Sequence, residues 1–236
     1  MRCARIAELL EPFLSNSCPH QSGLRPREEA VILSPSQLAQ ISTYIDLLIR
    51  WNSRINLTAI RDPEEIVTRH FGESLLAARH LFPAVSSVSA VVEGLARLAD
   101  LGSGAGFPGI PIKLWAPGIA LTLIESNHKK ATFLREVVRS LTLTNIDVQN
   151  TRAEAIPQTY EIVTLRAIEH FEDTLRVAVR LTTPSGRLAL LISSSQLDKA
   201  HSTLPQVSWQ APVPVPQSQS RVLLIGRRSQ EGKQVG

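Results

Sequence analysis

The stretch LADLGSGAGFPGIPIKLW, residues 98–115, constrains this chain more than any other. A strand-length apolar run reaches Asp100, and Gly102, Gly104, Gly106 and Gly109 then crowd into eight positions. Glycine permits positive φ and close approach of backbone to a ligand. Pro108 and Pro111 follow at positions early in a helix, where a missing N–H costs little. A strand that runs into a glycine-rich turn and then a helix is the local architecture of a nucleotide-cofactor site. The sheet that carries it binds ligands at the carboxyl ends of its strands.

The rest of the chain from about residue 95 agrees. Strand-length runs (RLADLG, ALTLIE, NIDVQN, YEIVTL, RLALLIS) alternate with helical segments at 108–116, 129–141 and 171–181. That alternation, rich in Val, Ile and Leu, predicts a mostly parallel sheet covered on both faces. A last strand is expected over 221–225. Pro212, Pro214 and Pro216 mark an edge or loop before it, because proline cannot serve a central strand.

The first third reads differently. Ser34-Pro35-Ser36-Gln37 is a capping box with a first-turn proline, and Leu38, Ile41, Ile45, Leu48 and Trp51 follow at helical spacing. Asp62-Pro63-Glu64-Glu65 starts a second helix, with acids at its positive end. A polar connector, WNSRINLTAIRD, links the two. The expected organisation is a helical cap over 1–85, a cofactor-binding domain over 86–228 and a frayed tail over 229–236.

The 236 residues are 43% hydrophobic, enough for a sizeable core, and carry a net charge of +4. That charge permits an acidic partner such as nucleic acid without requiring one. Cys3 and Cys18 are the only cysteines, so neither a disulfide framework nor metal-ligand spacing is expected. Glu8 and Glu11 interrupt what would have to be the apolar core of a secretory signal. No apolar run reaches the length of about 20 residues that a membrane span requires. A soluble cytoplasmic protein is the expectation.

The glycine loop has two readings. Gly104-x-Gly106-x-x-Gly109 matches a dinucleotide-binding pattern. Asp100-Leu101-Gly102-Ser103-Gly104-Ala105-Gly106 instead matches the loop that wraps the methionine part of S-adenosylmethionine (SAM). Glu125 ends the next strand, about 20 residues on, where a carboxylate accepts from a ribose diol in either case.

The segments WNSRINLTAIRDPEEIVTRHFGESL, DLGSGAGFPGIP, TRAEAI and TLRAIE together resemble the bacterial 16S ribosomal RNA guanine-N7 methyltransferases, the glucose-inhibited division protein B family. The resemblance covers about residues 34–228. It implies a Rossmann-like class I SAM-dependent α/β fold, a seven-stranded and mostly parallel sheet with an N-terminal helical cap. It implies SAM as cofactor, 16S rRNA or the 30S subunit as partner, and no metal. The family's cofactor positions fall on Gly102, Phe107, Glu125, Ala153, Glu154 and Arg166. Candidates to position the target base are Asn56 and His70 in the cap, with Arg166 and Arg221. Two positions depart. Ile192-Ser193 stand where relatives commonly have Lys-Gly, and Ser220-Arg221-Val222 where they have Arg-His. The missing lysine leaves open a SAM- and RNA-binding assembly factor without catalysis. The modest charge leaves open another methyl acceptor.

The implied reaction needs no proton removal. Guanine N7 carries a lone pair and no hydrogen, so the protein's task is alignment. A chain without a Ser-His-Asp set, a carboxylate pair or a metal cluster suits that chemistry.

Overall fold

The computed structural model describes residues 1–15, 33–83, 96–167 and 169–229. Cys18, the expected domain boundary near 85 and the tail from 230 lie outside them. Four helical segments come first: α1 (Cys3–Leu14), α2 (Pro35–Asn52), α3 (Pro63–Glu65) and α4 (Glu73–Leu81). The last two are joined without a break by a π-helical segment, Ile66–Gly72. Both predicted starts are present. Ser34 and Gln37 form the reciprocal capping box, and Asp62 accepts from the Glu65 N–H at 2.8 Å. Each satisfies donors that a helix start otherwise leaves open.

Then come β1 (Arg97–Leu101), α5 (Gly109–Trp115), β2 (Ala120–Ile124), α6 (His128–Ser140), β3 (Ile146–Gln149), β4 (Tyr160–Arg166), α7 (Phe171–Leu181), β5 (Thr182–Ser193), α8 (Leu197–Thr203), β6 (Val207–Trp209), β7 (Val213–Pro214) and β8 (Arg221–Arg228). The sheet order is β3-β2-β1-β4-β5-β8-β6, and β7 lies beside β8 as an eighth strand. β1 to β5 pair parallel, and β8 runs antiparallel to β5, β6 and β7. The order reverses between β1 and β4. That is the switch point where such sheets open a crevice.

β7 is the strand that the proline reading does not predict. Alternate prolines make it possible: Pro212, Pro214 and Pro216 supply no N–H, while the Val215 N–H between them donates to Arg221 O at 3.0 Å. The prolines thus sit at an edge and cost no ladder bond.

Period-two alternation along the strands feeds two cores. Leu98, Ala189, Leu191, Leu223 and Ile225 face one side, shared with the N-terminal helices, α5 and α6. Ala99, Leu101, Leu188, Leu190 and Leu224 face the other, under α7 and α8. The first core runs unbroken from Ile6, Leu10 and Phe13 of α1 through Tyr44 and Ile45 of α2 to Leu121 and Leu123 of β2. Burying each such side chain contributes about 1.5–3 kcal/mol, so the helices are bound to the sheet by the same term that holds the sheet together.

Candidate active site

The glycine loop connects β1 to α5 at the switch point. Gly102, Gly104 and Gly106 have φ of +63°, +56° and +88°, conformations that L side chains rarely adopt. A Cβ on Gly102 would enter open space, whereas one on Gly106 would strike Ile110 Cδ1 at 2.7 Å. Gly109 lies against Asp100, whose Oδ2 would stand 2.9 Å from an added Cβ. Asp100 is fully buried. Its Oδ1 accepts from Thr164 Oγ1 at 2.7 Å and its Oδ2 from the Gly109 N–H at 3.2 Å. Burial pushes its pKa up to about 6, against the pull of those hydrogen bonds.

This arrangement decides between the two registers of the loop. A pyrophosphate needs free N–H groups at the helix start. Here the Gly109 N–H is taken by Asp100, the Ile110 N–H donates to Gly106 O at 2.9 Å, and Pro111 has none. What remains open is the side of the loop that faces Gly102.

A cavity of about 370 Å³ lies there, lined by Gly102, Lys130, Ala153, Glu154, Arg166 and neighbouring residues. Four of the six expected cofactor positions therefore meet around one space. Glu125 stands at its edge, with both carboxylate oxygens oriented by backbone. Oε2 accepts from the Gly104 N–H at 2.9 Å and Oε1 from the Asn127 N–H at 2.7 Å. Each oxygen keeps acceptor capacity for a further donor.

Phe107 is placed differently. Its ring is 6% exposed, stacked on Tyr44 at 5.3 Å and on His70 at 4.7 Å, with Phe71 edge-on. The Tyr44 hydroxyl in turn donates to Ala105 O. Phe107 ties the loop to the helices, so Phe107→Asp would bury a charge in that contact rather than report on the cofactor.

The substrate-positioning candidates gather around a residue that sequence reasoning missed. Glu73, 1% exposed, begins α4. Arg166, at the end of β4, donates to Glu73 Oε2 from Nε at 3.2 Å and Nη2 at 3.1 Å, to Arg69 O at 2.7 Å and to His70 Nδ1 at 2.8 Å. Arg69 Nε reaches Glu73 Oε1 at 3.3 Å. Arg221 Nε lies 2.9 Å from the same oxygen, as an ion pair without hydrogen-bond alignment. Burial lowers the pKa of Arg166, and Glu73 opposes the shift.

His70 Nδ1 accepts from Arg166, which places the ring proton on Nε2, 2.8 Å from Thr58 Oγ1. Burial, and then the charges of Arg166, Arg69 and Arg221, hold its pKa down at about 3, so the ring is neutral. The π-helical segment brings Arg69 and His70 to this cluster, and such segments recur at functional sites. Asn56 is exposed and makes no side-chain hydrogen bond among the described residues. Asn52 holds the NLT turn instead: its Oδ1 accepts from the Leu57 and Thr58 N–H groups and its Nδ2 donates to Thr58 O. The signal for Glu73 lies in RHFGES, since Arg69 and Glu73 stand four apart on a helix.

A family model described as GidB, rRNA small subunit methyltransferase G, matches residues 37–220. The chain belongs to this family. Among curated relatives, the ribosomal RNA small subunit methyltransferase G of Xylella fastidiosa (strain 9a5c) is 47% identical over 147 residues, 61% of this chain and 64% of that protein. The protein of the same name from Xanthomonas campestris pv. campestris (strain B100) is 41% identical over 162 residues, 68% of this chain and 71% of its own. The match thus spans under two thirds of the length of the Xylella relative.

Solved structures share the fold. A ribosomal protein L11 methylase from Lactobacillus delbrueckii subsp. bulgaricus superposes with a TM-score of 0.55 at 14% identity, over 68% of this chain and 79% of its own. A SAM-dependent methyltransferase from Aquifex aeolicus does so with 0.53 at 15%, over 71% and 94%. The sheet of this family member is accordingly that of the class I SAM-dependent methyltransferases. No described helix is long and apolar enough to cross a membrane.

Proposed function

We propose that this chain transfers the methyl group of SAM to N7 of a guanine in 16S ribosomal RNA. The observation that carries the reading is the cavity beneath Gly102 at the switch point, beside three arginines gathered on the buried Glu73 carboxylate. The cavity fits SAM. A Cβ at Gly102 would project into open space, so the glycine leaves room for a ligand against the backbone. Ala153 and Glu154 sit past β3, the adenine side of such a sheet, and Glu125 offers acceptors to a ribose. Gly102, Glu125, Ala153, Glu154 and Arg166 would hold the cofactor, and Phe107 would hold the loop. Bound SAM supplies a sulfonium-activated methyl group.

The chain's own residues then have a positioning task. N7 brings its own lone pair, so no base is required. His70 suits this chemistry as a positioning residue. Both its nitrogens are engaged, and a neutral ring adds no charge against the cation that develops on guanine. Arg166 has one donor left after four hydrogen bonds and joins the helices to the cofactor cavity. The partner proposed is 16S rRNA, free or in the 30S subunit, in the cytoplasm.

Incubation with radiolabelled SAM and either 30S subunits or 16S rRNA tests the reading. The expected product is N7-methylguanine at one site, located by reduction and aniline cleavage. SAM binding without label transfer would favour an assembly factor instead.

A further inference from the structure

A second cavity, of about 340 Å³, opens beside the cofactor cavity, and Ala167 lines both. Its walls divide by chemistry. Phe171, Leu191 and Ile192 form an apolar part, and Arg69 and Arg221 a cationic one. Glu73 anchors both arginines through a single oxygen, at 3.3 and 2.9 Å, while their side chains stay 41% and 22% exposed. With Arg166 on its other oxygen, one buried carboxylate meets three guanidiniums; Glu65 lies 3.4 Å from Arg69 as a second acid, so the two carboxylates leave a net positive charge among the three arginines, two of which line the cavity.

Gln196 adds a directional group. Its Oε1 accepts from the Ser193 N–H at 3.0 Å, because a backbone donor requires oxygen there. That bond fixes which way the amide points and leaves the two Nε2 donors without a partner among the described residues. A fixed donor distinguishes purines. On the major-groove edge guanine presents O6, an acceptor, beside N7, whereas adenine presents an amino donor.

From this we infer that the second cavity takes a guanosine 5′-phosphate unit, with the phosphate at Arg69 and Arg221, the base against Phe171 and Ile192, and O6 read by Gln196. The base is guanine rather than adenine because the amide offers only donors. The inference rests on the methyl-transfer reading for the role of that nucleotide as target. It also gives Ile192 a use as part of an apolar wall for a base, while two arginines from other elements supply the charge.

The test is binding of GMP, IMP, AMP and guanosine to the full chain saturated with S-adenosylhomocysteine, followed by protein-observed NMR titration. Saturation keeps the nucleotides out of the first cavity. GMP and IMP, which share O6, are expected to bind alike. AMP should bind about tenfold or more weakly, since a donor facing a donor leaves both unpaired. Gln196→Glu retains the oxygen that caps Ser193 and removes the donors, so it should abolish the preference for GMP over AMP. Arg221→Gln should weaken the preference for GMP over guanosine, with Arg69 holding what remains.

Equal binding of GMP and AMP by the native protein, no binding of GMP, or a preference that survives Gln196→Glu would overturn the inference. The labelled-SAM assay on the same preparation separates the two readings. Label transfer without nucleotide discrimination sinks the cavity assignment alone. Discrimination without transfer to any RNA or subunit sinks the methyl-transfer reading and leaves a guanosine-phosphate site.

Discussion

Glu73 shows how much one residue holds here. It neutralises part of three arginines, one from the π-helical segment and one each from β4 and β8, and it is almost wholly buried. Removing one partner of a buried ion pair leaves the others uncompensated and costs about 3–5 kcal/mol. Glu73→Gln is therefore expected to lose stability in that range in urea unfolding, and Glu73→Asp distinctly less. His70 makes a second prediction, on pH. Its folded pKa near 3 lies below the value of about 6.5 for a free imidazole, so between those limits the unfolded chain binds the extra proton. The contribution is fully present above pH 6.5 and is lost as pH falls toward 3. At pH 5 the loss is about 2 kcal/mol. Asp100 acts with the opposite sign: its folded pKa near 6 is raised, so acidification through 6 toward 4 relieves a cost. His70→Gln should remove most of the acid sensitivity between pH 7 and 5, leaving the smaller loss from His80, whose pKa burial also lowers, set against the gain from Asp100. Unfolding midpoints at the two pH values check this.

At the scale of elements, the glycine loop separates ligand contact from packing. Gly102→Ala places a Cβ in the open cavity, at a backbone cost of about 1–2 kcal/mol for positive φ. It should leave the fold intact and weaken SAM binding tenfold or more by calorimetry, as expected for a lost near-contact worth about 1.4 kcal/mol. Gly109→Ala drives a Cβ into Asp100 and Leu123 and should instead lower stability, with the loss read in denaturant unfolding. The same scale shows what was legible. Both helix starts, the loop and the strand alternation depend on neighbours within a few residues, and each appears where the spacing predicts it. β7 was not legible, because Val213 and Pro214, in a run of alternate prolines, become a strand only when β8 offers them partners. Nor was the π-helical segment, whose widened turn serves contacts from α1: Gly72 lies so close to the Phe13 ring that an added Cβ would stand 2.7 Å away.

On the scale of the molecule, the helices and the sheet share one core, from Ile6 to Leu123. A cap that merely rested on a domain would unfold by itself. This one should not: Trp51 in α2 and Trp115 in α5 both pack on that core. Tryptophan fluorescence and far-ultraviolet dichroism are expected to report one coincident urea transition. Two separated transitions would show that the cap folds independently. Continuity also explains the position of Phe107, which the loop pattern suggests as a cofactor contact. It lies where the loop meets Tyr44, His70 and Phe71, so one aromatic stack joins the cofactor loop to the helices.

The sequence by itself determined the helix starts, the strand-helix alternation and the glycine loop as a nucleotide-cofactor site, because capping, glycine φ and hydrophobic period are settled between residues close along the chain. The family segments added the expected cofactor positions, and four of those line one cavity. Only the tertiary structure decided which side chains meet. Arg166 and Glu73 are 93 residues apart, and nothing local to either requires the other. Their pairing follows from the chain's return to the switch point, where β4 ends beneath α4. The same return set Thr164 of β4 on the Asp100 carboxylate, which lies against the Gly109 N–H at the start of α5 and closes the dinucleotide register that the glycines alone left open.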